Sequence, residues 1–418
     1  MLLGLRPRRR SAYALGVAVA TCAIGLFAVQ RALGGPIGLD SSVGVAAGYN
    51  SNPFLLPTDV QAAESEALLL NLPVSYQGAE QTFELTPRFR QATSQGAEAL
   101  LSNYQDLDGH WKFKGERNDI SVAASWHRDS TFYNQFENAV LGGKSFRRLE
   151  DTATLGWENQ LTEVSDVQLL SSIDHVGYSA TAASLLTSYQ YEQLALEYDQ
   201  SLTERWQWTS TAGYGRYQVL NYAYSSDNRF VQSSLSRALS EQWSLVAQVG
   251  YSYLSANEQV ATPYLYLCDE NGQLVLCEGL TQSLQHFGAG TPNYSVSLEH
   301  RGERLTLDAG VSRSIQPNGL GALLTQDDTS IRATYTWTET VSVTGSLEDS
   351  SLTDSLQRLK FGDRHFYNAG LAVNWQFSEY WTLGLQAGYL VQRLEGENSV
   401  DATISLNFMR ALGRISWH

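Results

Sequence analysis

The side chains in this sequence that offer chemistry are few and badly placed for it. The seven histidines, His110, His127, His175, His286, His300, His365 and His418, are scattered, and none falls in a His-Glu-x-x-His or comparable metal-binding spacing. A hydrolase needs a nucleophile beside a base, with a third group to orient the base. Ser125 with His127, and Ser171 with His175, stand on faces that read as inward. Serine is so abundant here that such neighbours arise by coincidence. No P-loop or dinucleotide fingerprint occurs, and Leu141-Gly-Gly143 reads as loop. The expectation is a non-enzyme with no catalytic residue, metal ligand or cofactor.

Two other groups carry chemical meaning. Cys268 and Cys277 bracket Asp-Glu-Asn-Gly-Gln-Leu-Val-Leu, a hairpin-like loop that a disulfide would close in an oxidising compartment. Closing a loop that short stabilises by roughly 2–3 kcal/mol. Glu84, Arg88, Arg90, Lys112, Lys114 and Arg332 recur at every second position of alternating segments, which aims them at a shared wet interior. There Arg88, Arg90, Lys112 and Lys114 form a constriction that draws anionic solutes, or these charges are simply solvated.

The elements that must position these residues repeat with a period of two from about residue 43 to residue 408. Trp243, Leu245, Ala247, Val249, Tyr251 and Tyr253 alternate with small or polar residues, as do Trp381, Leu383, Leu385, Ala387, Tyr389 and Val391. A helix would need apolar spacings of three and four. About 18 such segments can be traced, each long enough for a tilted membrane strand. Their connections alternate in length. Short turns, such as Gly78–Glu80 and Thr203–Arg205, separate longer loops near 50–66, 130–148, 178–188, 220–228, 255–292, 316–328 and 349–364. Three turns share one pattern, Thr203-Glu-Arg-Trp206, Ser240-Glu-Gln-Trp243 and Ser378-Glu-Tyr-Trp381. The hydroxyl can accept a nearby backbone N–H, and Trp206, Trp243 and Trp381 then enter the next strand on its outward face, forming an interface girdle.

The fold class expected is all-β: a closed antiparallel transmembrane β-barrel of about 18 strands, with short periplasmic turns and long extracellular loops. Closure follows because lipid offers no hydrogen-bond partner to a strand edge. A lumen of that size stays wet. With no plug-sized segment before the first strand, the reading is an open channel. Loops 130–148 and 255–292 are the candidates to fold inward and narrow it.

Composition agrees. A charged fraction of 17%, an aromatic fraction of 11% and a net charge of −15 suit strands that average apolar and polar faces. That charge also excludes nucleic acid as a partner. Residues 1–35 read as a signal peptide, with four arginines (Arg6, Arg8, Arg9 and Arg10) before an uncharged apolar run from Ala12 to Val29; 36–418 is the barrel. The final alternating strand holds Ala402, Ile404, Leu406 and Phe408, and Met409–His418 extend it or form a tail.

Gly48-Tyr-Asn-Ser-Asn-Pro-Phe-Leu-Leu-Pro57, the Ser/Thr-Glu-x-Trp turns and the closing strand together resemble the outer-membrane β-barrel porins encoded with exopolysaccharide and capsule biosynthesis loci. The resemblance implies a Gram-negative outer membrane, with its lipid and lipopolysaccharide, and assembly by the barrel-assembly machinery. It also implies passage of a secreted acidic or neutral polysaccharide alongside periplasmic export proteins, with tyrosine and tryptophan as a sugar track. A general small-solute porin and a non-conducting structural or adhesive barrel are the alternatives.

Overall fold

A computed structural model of the chain describes residues 36–96, 103–131, 145–179, 186–220, 223–270, 273–355, 364–394 and 397–417, omitting the side chains of 259–284 and 414–417. The signal-peptide reading and most of loop 130–148 lie outside these residues. The elements run β1 (Ile37–Asn50), β2 (Ala63–Asn71), β3 (Val74–Gln77), β4 (Gln81–Gly96), β5 (Tyr104–Lys114), β6 (Asn118–Ser130) and β7 (Arg147–Thr162). They continue with β8 (Ser165–Tyr178), β9 (Tyr189–Thr203), β10 (Trp206–Val219), β11 (Tyr224–Ala238), β12 (Trp243–Glu270) and β13 (Gln273–Arg301). The last are β14 (Leu305–Asn318), β15 (Ala322–Thr338), β16 (Val341–Asp354), β17 (Arg364–Gln376), β18 (Trp381–Leu394) and β19 (Glu397–Trp417).

Apart from β2 and β3, each strand pairs antiparallel with its chain neighbours, and β1 closes the sheet on β19 from Ile37 opposite Trp417 to Asn50 opposite Thr403. β2 and β3 both lie between β1 and β4, interrupted at Leu72–Pro73, and so occupy one position. The result is a closed barrel of 18 strand positions. Pro73 has no N–H to give the ladder, and its carbonyl instead accepts from Asp40 N at 3.0 Å. Met409 to Trp417 extend β19 against β1 rather than forming a tail.

The short turns are closed as their residue types require. Thr203 Oγ1 accepts from Arg205 N and Trp206 N, each at 3.2 Å, and Ser240 Oγ accepts from Gln242 N and Trp243 N at the same distance. Ser378 Oγ accepts from Tyr380 N at 3.3 Å, and Thr338 Oγ1 from Val341 N at 3.0 Å. Ser240→Ala removes both bonds at its turn and is expected to cost about 1 kcal/mol, measured by urea unfolding of the folded barrel in lipid vesicles.

Pleated walls of this curvature need room for aromatic rings. Phe230 on β11 lies across Gly213, where an added Cβ would overlap the ring and stand 2.9 Å from the Leu194 carbonyl oxygen. Glycine is the residue that permits this approach. One expectation is corrected here: 255–292 is not a loop but the upper part of the β12–β13 hairpin, paired from Trp243 opposite His300 to Glu270 opposite Gln273. Pro263 and the unbroken apolar run Tyr264–Cys268 break the alternation there, which is why the period of two does not disclose the continuing strands.

Candidate functional site

Register fixes two faces, because successive side chains point to opposite sides of a sheet. One face carries Val45, Leu68, Val122, Leu155, Leu196, Val231, Val249, Ile331, Leu385 and Ile404 around the ring, all exposed, with Val249 at 68%. An apolar belt outside a sealed barrel is a surface that lipid, not water, covers. Trp206, Trp243 and Trp381 stand on this face at the turn end. Arg237 lies over the Trp206 ring at 4.7 Å and Arg410 over Trp381 at 5.2 Å, and Trp243 packs on His300 at 4.5 Å. Among the described side chains the strand tryptophans stand in outward rows of the register, so the tryptophan part of the expected sugar track is corrected and tyrosine remains.

The opposite face lines the lumen. Glu84, Arg88 and Arg90 on β4, Lys112 and Lys114 on β5, and Arg332 on β15 all have inward register. They do not make a basic ring. Arg88 donates to Asp108 and lies 3.8 Å from Asp106, and Lys112 lies 3.0 Å from Asp119. Arg332 stands opposite Asp308, and Glu84 opposite His110. On β7, β8 and β9 the inward residues Glu158, Asp166, Glu197 and Asp199 have no ion-pair partner among the described residues. Neutral groups donate to two of them, Thr211 Oγ1 to Glu197 at 2.9 Å and Thr209 Oγ1 and the Gln168 amide to Asp199. Their charged neighbours are one another and Asp119, with Lys112 the one cation acting on Glu158. The lumen wall is thus acidic overall, with its basic groups largely cancelled.

Neither serine–histidine pair is built for catalysis. His127 faces Asp106 through Nδ1 at 3.3 Å and Asp108 through Nε2 at 3.5 Å, which leaves no ring nitrogen for Ser125. Ser171 and His175 are on the outward face, opposite Leu194 and Gln190. Their inward reading is corrected, because β8 enters from its turn with even-numbered residues inward. Among the described residues no group of three or more His, Cys, Asp or Glu is placed to hold a metal ion. The register opposes Cys268 to Val275 and Cys277 to Tyr266, a diagonal offset, and both thiols lie outside the described side chains.

The loop end holds what the sequence did not disclose. Ser51–Leu56 folds into the lumen as a knuckle anchored on Asp401 of β19. Asn52 N donates to Asp401 Oδ1 at 2.8 Å and Ser51 Oγ to the same oxygen at 3.2 Å. The Asn52 side chain then clasps Leu56, accepting from its N–H at 3.0 Å and donating to its carbonyl at 2.9 Å. Leu55 sits at φ 50, a left-handed conformation that a leucine holds only under constraint. The knuckle buries Phe54 and Leu55.

From the other side, the tip of the β14–β15 hairpin leans inward as a tongue. β13 and β14 are paired only as far as Tyr294 opposite Arg313, whereas β14 stays paired to β15 up to Asn318 opposite Ala322. Leu323, with no exposed surface, packs with Val176, Tyr189, Tyr217 and Leu254 of the β8–β12 wall. On the tongue's other face, Ala322 and Leu324 pack with Leu55, Leu352 and Phe366. Tyr217 Oη donates to the Asn318 carbonyl at 2.8 Å, and Thr187 N donates to the Gly319 carbonyl at 2.7 Å. The segments that narrow the lumen are therefore 51–56 and 314–325, in place of 255–292. The available signal was apolar residues in supposed loops: Phe54-Leu55-Leu56 and Leu320-Gly-Ala-Leu-Leu324.

No family model and no curated protein sequence matches the chain. Among solved structures it is similar to a BenF-like porin from Pseudomonas fluorescens Pf-5, at 11% identity and a TM-score of 0.47, covering 90% of this chain and 99% of that one. Pseudomonas aeruginosa OpdL gives 10%, 0.44, 90% and 99% for the same quantities. The ferric-catecholate import receptor Fiu from E. coli K12 gives 8%, 0.46, 89% and 82%. The fold assignment stands on the chain's own strand pairing, closed between β1 and β19.

Proposed function

We propose that the protein is a passive channel of the Gram-negative outer membrane, with its short turns in the periplasm and its tongue at the cell surface. The observation that carries this reading is the contrast between the faces of one closed sheet, apolar outside and charged inside. Inward Asp166, Glu197 and Asp199, which have no ion-pair partner among the described residues, would be costly in a dry core, so they mark a water-filled path. The wall attracts cations and repels anions. Reconstituted in planar bilayers under a potassium chloride gradient, the mature chain is expected to give a reversal potential of cation-selective sign. Asp166→Asn combined with Asp199→Asn should move it toward the non-selective value. An anion-selective current would defeat the electrostatic part of this reading, and no current from any form would defeat the channel itself.

For the transported material we propose a neutral polysaccharide. Support comes from the segment Gly48–Pro57, which resembles the export porins of exopolysaccharide loci, and from inward Tyr189, Tyr191, Tyr217 and Tyr224 near the mouth. The carboxylates disfavour a polyanion, which removes the acidic polymer from the expected pair. A deletion strain that retains polymer in its periplasm, and secretes again on complementation, is the expected result. Unchanged secretion would return the protein to the class of small-solute porins.

A further inference from the structure

We propose that the outer wall across β15–β18 is a binding site for one molecule of lipid A, the phosphorylated and acylated glycolipid of the outer leaflet. The proposal rests on the orientation given above, with the loop end of the barrel at the cell surface. Three observations carry it. First, the lipid-facing wall is hollowed there, in a groove of about 300 Å³ lined by Ile331, Leu347, Tyr367, Ala369 and Tyr389. Ala369 is the short side chain among them. It stands opposite Leu347 on one side and Tyr389 on the other, so a trough runs between larger neighbours. Its lining is apolar, as an acyl chain requires.

Second, the groove ends at headgroup depth. From the girdle residue Trp381 to Arg393, at about 3.3 Å per residue and a tilt of about 40°, β18 climbs roughly 30 Å, the thickness of the hydrocarbon core. Tyr389 therefore lies among acyl chains of the outer leaflet, and Arg393 among their phosphates. Arg393 is exposed, stands opposite outward-facing His365, and makes no ion pair among the described residues. A guanidinium so placed is a two-pronged partner for phosphate. The carboxylate of Asp327, on the same face, is already held by Arg313 at 2.6 and 2.7 Å.

Third, the groove contains an acceptor. Asp349 lies in its lining, opposite Tyr367, and its exposed carboxylate has no partner among the described residues. A carboxylate turned toward lipid is costly unless something donates to it. A glycerophospholipid has no donor where its chains begin, whereas lipid A carries amide N–H groups and 3-hydroxyls there. One molecule thus supplies a chain to the groove, a donor to Asp349 and a phosphate to Arg393.

The test uses the mature chain in detergent, loaded with lipid A or with phosphatidylglycerol, and counts retained lipid by native mass spectrometry. One lipid A per barrel is expected to survive dilution that strips phosphatidylglycerol. Ala369→Phe fills the groove and should abolish this retention. Arg393→Gln should weaken it about tenfold, the equivalent of one charge-assisted hydrogen bond, and dephosphorylated lipid A should show the same loss on the wild type. Heat-modifiable migration checks that the variants are folded, and their conductance in phospholipid bilayers should match wild type. Equal retention by wild type and Ala369→Phe, or exchange of lipid A for phosphatidylglycerol without preference, overturns the site and leaves the channel reading intact. Groove-dependent retention of phosphatidylglycerol over lipid A overturns the site together with the orientation. Lipid A held by a folded barrel that passes no current sinks the channel reading and leaves the site standing.

Discussion

Deleting residues 315–325 and joining Ser314 to Gln326 through Asn-Gly is expected to raise single-channel conductance several-fold. The two joined residues already face each other in register, and a two-residue type I′ turn suits that geometry. The deletion removes Leu323 from between the tyrosines of one wall and Ala322 and Leu324 from against Leu352 and Phe366 of the other. Water then occupies the space, and resistance falls because the narrowest section sets it. The barrel itself should persist, since β14 and β15 keep their ladder from Leu305 opposite Tyr335 upward to the new turn. Heat-modifiable migration in a denaturing gel checks that the variant is folded. Conductance equal to wild type from a folded variant would sink the view that the tongue narrows the path, whatever its mobility.

The prediction rests on packing alone, on buried Leu323 and its neighbours.

What was legible in the sequence was what is local. Alternation places Arg88, Lys112 and Arg332 on the inner face without reference to any distant residue, since the period of two is a property of the strand. The turn hydroxyls of Thr203 and Ser240 find their N–H partners within three residues, and so could be read from four letters. The ion pairs were not legible: Arg88 meets Asp106 and Asp108 only because β4 and β5 have a definite register. The knuckle and tongue were hidden for a stronger reason. Leu55 and Leu324 lie 269 positions apart and meet inside the mouth, and no local pattern distinguishes an apolar loop turned inward from one left outside. Phe54-Leu55-Leu56 gave the hint, since an exported loop has no reason to show three large apolar residues to water.

Asp401→Ala is expected to release the knuckle and so to open the mouth from the side opposite the tongue. The Asp401 carboxylate is 5% exposed and accepts both Asn52 N and Ser51 Oγ. Hydrogen bonds to a charged acceptor contribute about 1.5–3 kcal/mol, and they are what offsets the strained backbone of Leu55. Without them Asn52 loses its fixed position, and its clasp on Leu56 no longer orients Phe54 and Leu55 toward Leu324 and Phe366. Asp401→Asn keeps an acceptor oxygen at the same place and should remain near wild type. The readout is limited proteolysis of protein reconstituted in vesicles: new cleavage after Phe54 or Leu55 in the alanine variant, little in the asparagine variant, and a conductance increase that follows the same order. Equal protection of all three forms would mean that packing against Leu324, rather than Asp401, holds the knuckle inward.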